Sequence, residues 1–348
     1  MLTRARRFAL ALWLSAATLG CGSSASVGPD ASANTDAGGG GADGNSAQGP
    51  PFQVGPRRYA SYQGFDTQGA LDCGVPLGFV YYEPVGSGPF PIFVFAKGSR
   101  GEWDNDSLIR DEMLKRMARL GFVAASPDYQ SNPDLYPGPY GLTCAGFRAK
   151  ARCIFAPGAK QPDSVVAVLE RESAADSSLG IVTSGISQGA FVALLAGDEN
   201  PEVRAANPIS IGTYCGSALD LGGCSLPASC QLGTERVRIV DGESDATFGG
   251  VSSPACDGMQ VVDPIWFRQQ LDAMTAMTCD PTASPYECLR PNGSGWVLAR
   301  DEQVSGGVAH HAFPYANYPS TADPTWASTT AAWGREANQA WLAGMAGH

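Results

Sequence analysis

Ser187 stands in the pentapeptide Gly185-Ile186-Ser187-Gln188-Gly189. A serine hydroxyl is a weak nucleophile until a base takes its proton, and the base needs a third group to orient it. The chain has 3 histidines, so the choice of base is narrow. His348 is the last residue, which leaves His310 and His311 in the stretch Ser305-Gly306-Gly307-Val308-Ala309-His310-His311-Ala312-Phe313. The orienting acid should come from a strand end between Ser187 and that pair. Val240-Asp241-Gly242-Glu243-Ser244-Asp245 offers one, with Asp245 the first choice and Asp241 and Glu243 the alternatives. Such a set would attack a carbonyl carbon. Each part also has an inert reading: a Gly/Ser turn in a chain with 43 Gly, a solvated His loop, or an acidic turn.

The flanking residues decide between these readings. Leu179-Gly180-Ile181-Val182-Thr183 is a short β-branched run that reads as a buried strand, and Ala190-Phe191-Val192-Ala193-Leu194-Leu195-Ala196 reads as a buried helix start. A strand, G-x-S-x-G and a helix make a nucleophile elbow, in which a sharp turn presents the serine and the glycines admit neighbouring backbone. Further strands are expected at 79–82, 91–96, 122–125, 205–211, 236–240 and 295–299. Helices are expected from 108, capped by Asp106 or Ser107, from 162, over 265–277 and, to close the chain, over 326–345. Strands alternating with helices imply a doubly wound, mostly parallel α/β sheet flanked by helices. In such sheets sites form at the carboxyl ends of strands, where the Ser187 turn lies.

The start of the chain has a different character. Arg4, Arg6 and Arg7 precede an apolar run at 8–17 that is too short for a permanent span, so residues 1–20 read as a signal peptide. Thr18-Leu19-Gly20-Cys21 resembles a bacterial lipobox, with Thr18 in place of the usual Leu. That resemblance implies a lipidated Cys21, and residues 21–54 then form a tether of Gly, Ala, Ser, Asp and Asn with too little apolar surface to fold. The expected location is the outer membrane or cell surface, or otherwise the periplasm or medium, with contact to the membrane only through Cys21. Residues 55–348 suffice for one large α/β domain. The net charge of -11 repels phosphate backbones, so nucleic acid is not an expected partner. The 10 cysteines of an exported chain suggest disulfides, and the short loops Cys144 to Cys153 and Cys279 to Cys288 are candidates. With Cys21 lipidated, an odd number remains. No C-x-x-C occurs and histidine is scarce, so no metal site is implied, nor any organic cofactor.

On the elbow and the order Ser187, Asp245, His311, the chain resembles the α/β-hydrolase superfamily, in its dienelactone-hydrolase-like and secreted esterase- or lipase-like branches. The resemblance runs from about Cys73 onward. Its strand-G-x-x-D turn places the acid at Asp245 rather than Asp241, and its His-Ala-Phe ending favours His311 over His310. It implies an α/β-hydrolase fold and a serine hydrolase that cleaves esters through an acyl-enzyme, losing activity as His311 protonates. The family's oxyanion hole would use the amides of Gln188 and Ser99. Lys97, in Ala96-Lys97-Gly98-Ser99, stands where the family has His, and pairing with a carboxylate to fix the loop is its simplest role. Tyr129, Tyr136, Tyr140 and Phe147 lie in an insertion after the fourth strand that either overhangs the site or packs on itself. A small-molecule or polymeric ester is the expected substrate. The rivals are a serine peptidase of the same fold and a non-catalytic surface lipoprotein on a hydrolase scaffold.

Overall fold

The computed structural model of the 348-residue chain describes residues 51–66, 72–99, 108–132, 143–211, 232–245, 247, 250–251, 261–262, 264–280, 282–317 and 321–347. All of these fall in a compact unit, Ala47–His348. The leader, Cys21 and the tether up to residue 50 lie outside the described residues, as do Tyr136, Tyr140, Asp106 and Ser107. Residues 51–54, expected in the tether, already join the domain: Phe52 N donates to Arg119 O at 3.0 Å and Val54 bridges to Pro84.

The first half contains β1 (Arg58–Phe65), β2 (Cys73–Tyr82), β3 (Ile92–Ala96), α1 (Leu108–Arg119), β4 (Val123–Pro127), α2 (Cys144–Phe155) and α3 (Val165–Glu172). Next come β5 (Ile181–Ile186), α4 (Gln188–Leu194), α5 (Ala196–Glu199), β6 (Val203–Ile209), β7 (Arg238–Gly242) and a short ribbon of β8 (Gly250–Val251) with β9 (Val261–Val262). The chain continues through α6 (Pro264–Thr275), β10 (Glu287–Leu289), β11 (Gly295–Ala299), a second ribbon of β12 (Tyr315–Asn317) with β13 (Thr321–Ala322), α7 (Pro324–Ser328) and α8 (Arg335–Met345).

Nine strands form one sheet in the order β1-β2-β4-β3-β5-β6-β7-β11-β10. From β4 to β11 every pairing is parallel. Antiparallel strands finish both edges. Parallel strands buried on both faces need apolar side chains on both, and β3 shows how this works. Ile92, Val94 and Ala96 face a core shared with Phe147, Val165, Phe191 and Leu271. Phe93 and Phe95 face the opposite core with Leu114, Met117, Trp341 and Leu342. Thus α2, α3, α4 and α6 cover one face, and α1 and α8 the other. This is the doubly wound, mostly parallel α/β sheet expected from the sequence.

Two expectations are corrected, and a third, left between two alternatives, is narrowed. Residues 326–345 form two helices rather than one. Asp323 caps α7 by accepting from the amides of Thr325 (2.9 Å) and Trp326 (3.0 Å), and the chain turns tightly before α8. A Cβ on Gly334 would come within 2.3 Å of Thr329 Cγ2, and Thr329-Thr330 is a poor helix continuation. Second, Cys144 and Cys153 do not bridge. Both lie on α2, separated by about 13 Å of helix rise at ~1.5 Å per residue. Cys153 pairs with Cys73, a separation of 80 residues that fastens α2 to β2. Cys144 is also disulfide-bonded, with a partner outside the described residues. The Cys279–Cys288 bridge forms as expected and ties the segment after α6 to edge strand β10. Third, the insertion after β4 carries the full helix α2, capped by the Thr143 side chain, which accepts from the Gly146 amide at 3.1 Å. Tyr129 and Phe147 are each about 1% exposed and belong to the core, so neither overhangs the site. Phe147 stacks on Phe191 with ring centroids 5.1 Å apart.

Candidate active site

The elbow follows from β5 running into α4. Ser187 has φ 54 and ψ -121, a left-handed conformation that costs an L-residue about 1–3 kcal/mol. It is held there by its amide, which donates to Ile209 O at 2.9 Å on β6. The flanking glycines are required by space. A Cβ on Gly185 would lie 2.2 Å from Gly189 O, and one on Gly189 would lie 2.1 Å from Ala96 O at the end of β3. The other left-handed non-glycine residues include Gln130 (φ 59) and Ser210 (φ 53), which follow β4 and β6. Strain therefore gathers along the carboxyl edge of the sheet, on either side of the elbow.

The structure brings Ser187, His311 and Asp245 together. His311 Nε2 lies 2.8 Å from Ser187 Oγ, and Nδ1 lies 2.8 Å from Asp245 Oδ2. The Asp245 side chain is fully buried, while that of His311 is 25% exposed, so the dyad is anchored from below and open above. Two loops meet to make this contact. A Cβ on Gly242 would lie 2.0 Å from Ala309 O, so only glycine permits the approach. Glu243 N donates to Ala299 O at 2.9 Å, and Ser244 N to Ala309 O at 3.1 Å. Asp301 cross-links both, accepting from Ser244 Oγ at 2.9 Å and from Ala309 N at 2.7 Å.

The alternatives are placed elsewhere. His310 is exposed, and its Nδ1 accepts from the Ala312 amide at 3.0 Å. Glu243 accepts from the Asp301 amide. Asp241 is fully buried beneath Asp245, its Oδ2 accepting from Ile211 N at 2.9 Å and its Oδ1 from Gly242 N at 2.8 Å. Burial raises the Asp241 carboxyl well above its ordinary value, and the neighbouring Asp245 charge and a hydrogen bond between the two acids add to this. For Asp245, burial also acts upward, but the His311 charge and the hydrogen bonds from His311, Asp241 and the Thr247 amide outweigh it and hold the group low. The shared burial and the repulsion between the two carboxyls therefore push them apart, Asp241 up and Asp245 down. The sequence offered Asp241 only as a substitute for Asp245, and pairing of the two was not legible from a turn motif.

The β3 loop lies against the elbow, and a Cβ on Gly98 would touch Ser187 Cβ at 3.5 Å. Ser99 and Gln188 are joined through side chains, with Gln188 Nε2 donating to Ser99 Oγ at 3.0 Å and to Ser131 O at 3.2 Å. Lys97 is buried, and its carbonyl accepts from the Tyr129 hydroxyl. Sequence reasoning missed Lys150 of α2, whose Nζ donates to Gln188 Oε1 at 2.8 Å. A signal was present, since Phe147, Lys150, Ala151 and Ile154 share the helix face that the apolar spacing marks as buried.

No family model matches the chain, and no curated protein does. Among solved structures it is similar to a dienelactone hydrolase-like promiscuous phosphotriesterase from metagenomic libraries, at 16% identity and TM-score 0.47, covering 84% of this chain and 99% of that one. It is similar to an esterase from the archaeon Pyrobaculum calidifontis, at 13% identity and TM-score 0.46, covering 85% and 84%. An S-formylglutathione hydrolase from Agrobacterium tumefaciens is matched at 14% identity and TM-score 0.40, covering 73% and 89%. The chain's own strand order, the strained serine between β5 and α4, and the succession of serine, aspartate and histidine after β5, β7 and β11 are those of the α/β-hydrolase fold.

Proposed function

We propose that this protein is a serine hydrolase that cleaves carboxylic esters through an acyl-enzyme. The observation that carries the reading is the continuous hydrogen-bond chain from Ser187 Oγ through His311 to Asp245, with both contacts at 2.8 Å. Ser187 attacks the ester carbonyl as His311 Nε2 takes its proton. The tetrahedral oxyanion is received by the amides of Gln188 and Ser99, and His311 returns the proton to the departing alkoxide. Water then repeats the sequence on the acyl-enzyme. Asp245 keeps the imidazole in the tautomer that can accept from Ser187. A binding module has no use for a strained serine aligned with a base and a charged acid, which disfavours the non-catalytic reading. Measuring turnover of short-acyl p-nitrophenyl esters beside aminoacyl amides tests the bond class. Esters should be hydrolysed at least about 100-fold faster by kcat/KM, a gap of roughly 2.7 kcal/mol, and faster amide cleavage would transfer the assignment to a peptidase.

Export and a lipid anchor at Cys21 belong to the same proposal. The Cys73–Cys153 and Cys279–Cys288 bridges suit an oxidising compartment. Among the described residues no helix is long and apolar enough to cross a membrane. Cys21→Ala should therefore move the protein from the membrane fraction to the soluble fraction and end incorporation of labelled fatty acid. An unchanged distribution would remove the anchor.

A further inference from the structure

Lys150 is about 1% exposed, and nothing in a hydrophobic core calls for an ammonium there. Burial draws its pKa down to about 7, so keeping it in the core costs stability that a methionine of similar length would not. Its surroundings indicate what it holds. The Nζ donates to Gln188 Oε1 at 2.8 Å, and it lies 5.8 Å from the Tyr129 ring centroid and 5.9 Å from that of Phe147. Those rings are themselves fixed: Tyr129 donates to Lys97 O, and Phe147 stacks on Phe191 of α4.

Gln188 is about 4% exposed and immediately follows the nucleophile. A carboxamide has an accepting end and a donating end. With the ammonium on one side, the oxygen must face Lys150 and the amino group must face the loops after β3 and β4. It donates there to Ser99 Oγ at 3.0 Å and Ser131 O at 3.2 Å, and a backbone carbonyl such as Ser131 O can only accept. The two residues proposed to supply oxyanion amides, Gln188 and Ser99, are thereby tied to one another. Their orientation is set from behind by the lysine.

We propose that Lys150 is a positioning residue of the oxyanion hole, which through Gln188 Oε1 locks the carboxamide that fixes the Ser99 loop to the elbow. This rests on the serine hydrolase reading. Because the oxyanion exists only in the tetrahedral state, a slackened hole should slow turnover without loosening substrate binding.

The test uses the full chain. Lys150→Met should lower kcat on a p-nitrophenyl ester by about 10- to 100-fold, with KM within about twofold of the parent. Its melting temperature should be unchanged or raised, which a merely structural lysine would not produce. Gln188→Met cuts the same tie from the other side and should show the same split. The double variant should be no slower than the slower single, since both changes remove one device. Wild-type kcat in either folded single variant, or losses that multiply in the double, would overturn the inference. If Lys150→Met does not fold, the kcat of Gln188→Met decides. Should Ser187→Ala retain turnover, the hydrolase reading fails instead, whatever Lys150 does.

Discussion

Replacing Ser187 with Ala is expected to lower kcat by about 10⁴- to 10⁶-fold on a p-nitrophenyl ester, with KM little changed, and to abolish labelling by a fluorophosphonate. The size of the loss follows from the geometry. Ser187 Oγ lies 2.8 Å from His311 Nε2, within reach of proton transfer on attack, and it is carried on a backbone too constrained to bring a neighbour into its place. The adjacent hydroxyls do not substitute. Ser184 donates back to Asn207 O at 2.8 Å within the sheet, and Ser210 is fully buried. What remains in the variant is carbonyl polarisation by the amides proposed to bind the oxyanion, which acts without the nucleophile. Steady-state kinetics and mass spectrometry of the labelled chain check the outcome. Residual turnover above about 1% of the parent, or a label that persists on another residue, would remove Ser187 from the mechanism.

Asp245→Asn should cost about 10³- to 10⁴-fold in kcat while leaving the fold intact. The aspartate accepts on both oxygens, Oδ2 from His311 and Oδ1 from the Thr247 amide at 2.8 Å. An asparagine keeps only one of these as an acceptor. If its oxygen faces the Thr247 amide, its amino group faces His311 Nδ1, and the imidazole must then carry its proton on Nε2. That nitrogen donates to Ser187 and can no longer take its proton. The variant also has a signature in stability. The Asp245 carboxyl lies below its ordinary 3.8 in the folded state, so its contribution is complete above that value and is lost as pH falls through the folded value. The parent's advantage in melting temperature over Asp245→Asn should be full at neutral pH and should shrink on acidification below about 4. Asp241 acts with the opposite sign. Because its carboxyl is raised, the unfolded chain ionises first, so its burial costs more as pH rises above 3.8. Kinetics at neutral pH together with melting from pH 3 to 7 would separate the tautomer effect from a loss of folding; a variant that keeps near-parental kcat would show that Asp245 does not orient the base.

Much of the fold could be read locally, and particular residues show where this ended. Strands β3, β4, β5 and β11 are short apolar runs whose burial on both faces leaves no other reading, and the expected bounds fall within three residues of those observed. Helix α2 is hard to read because Arg148, Lys150 and Arg152 make its segment charged, and Lys150 stands on the buried face itself. Cys153 could not be assigned from spacing, since its partner lies 80 residues away and is brought near only when α2 packs beside β2. The break between α7 and α8 depends on the Gly334 turn closing on Thr329, a contact that apolar spacing does not record.

By itself the sequence determined the elbow and the order of serine, acid and histidine. A strand, a turn that demands glycine, and a helix are written in neighbouring residues. It also narrowed the base to two histidines by scarcity alone. Tertiary structure decided which member of each pair joins the hydrogen-bond chain to Ser187. Gly242 docks on Ala309, and that contact turns Asp245 toward His311 while leaving His310 exposed and Asp241 buried beneath, its carboxyl raised by burial. Adjacent residues have nearly the same local propensity. What separates them is the direction each side chain takes when distant loops meet, and the cost of burying a second charge beside the first.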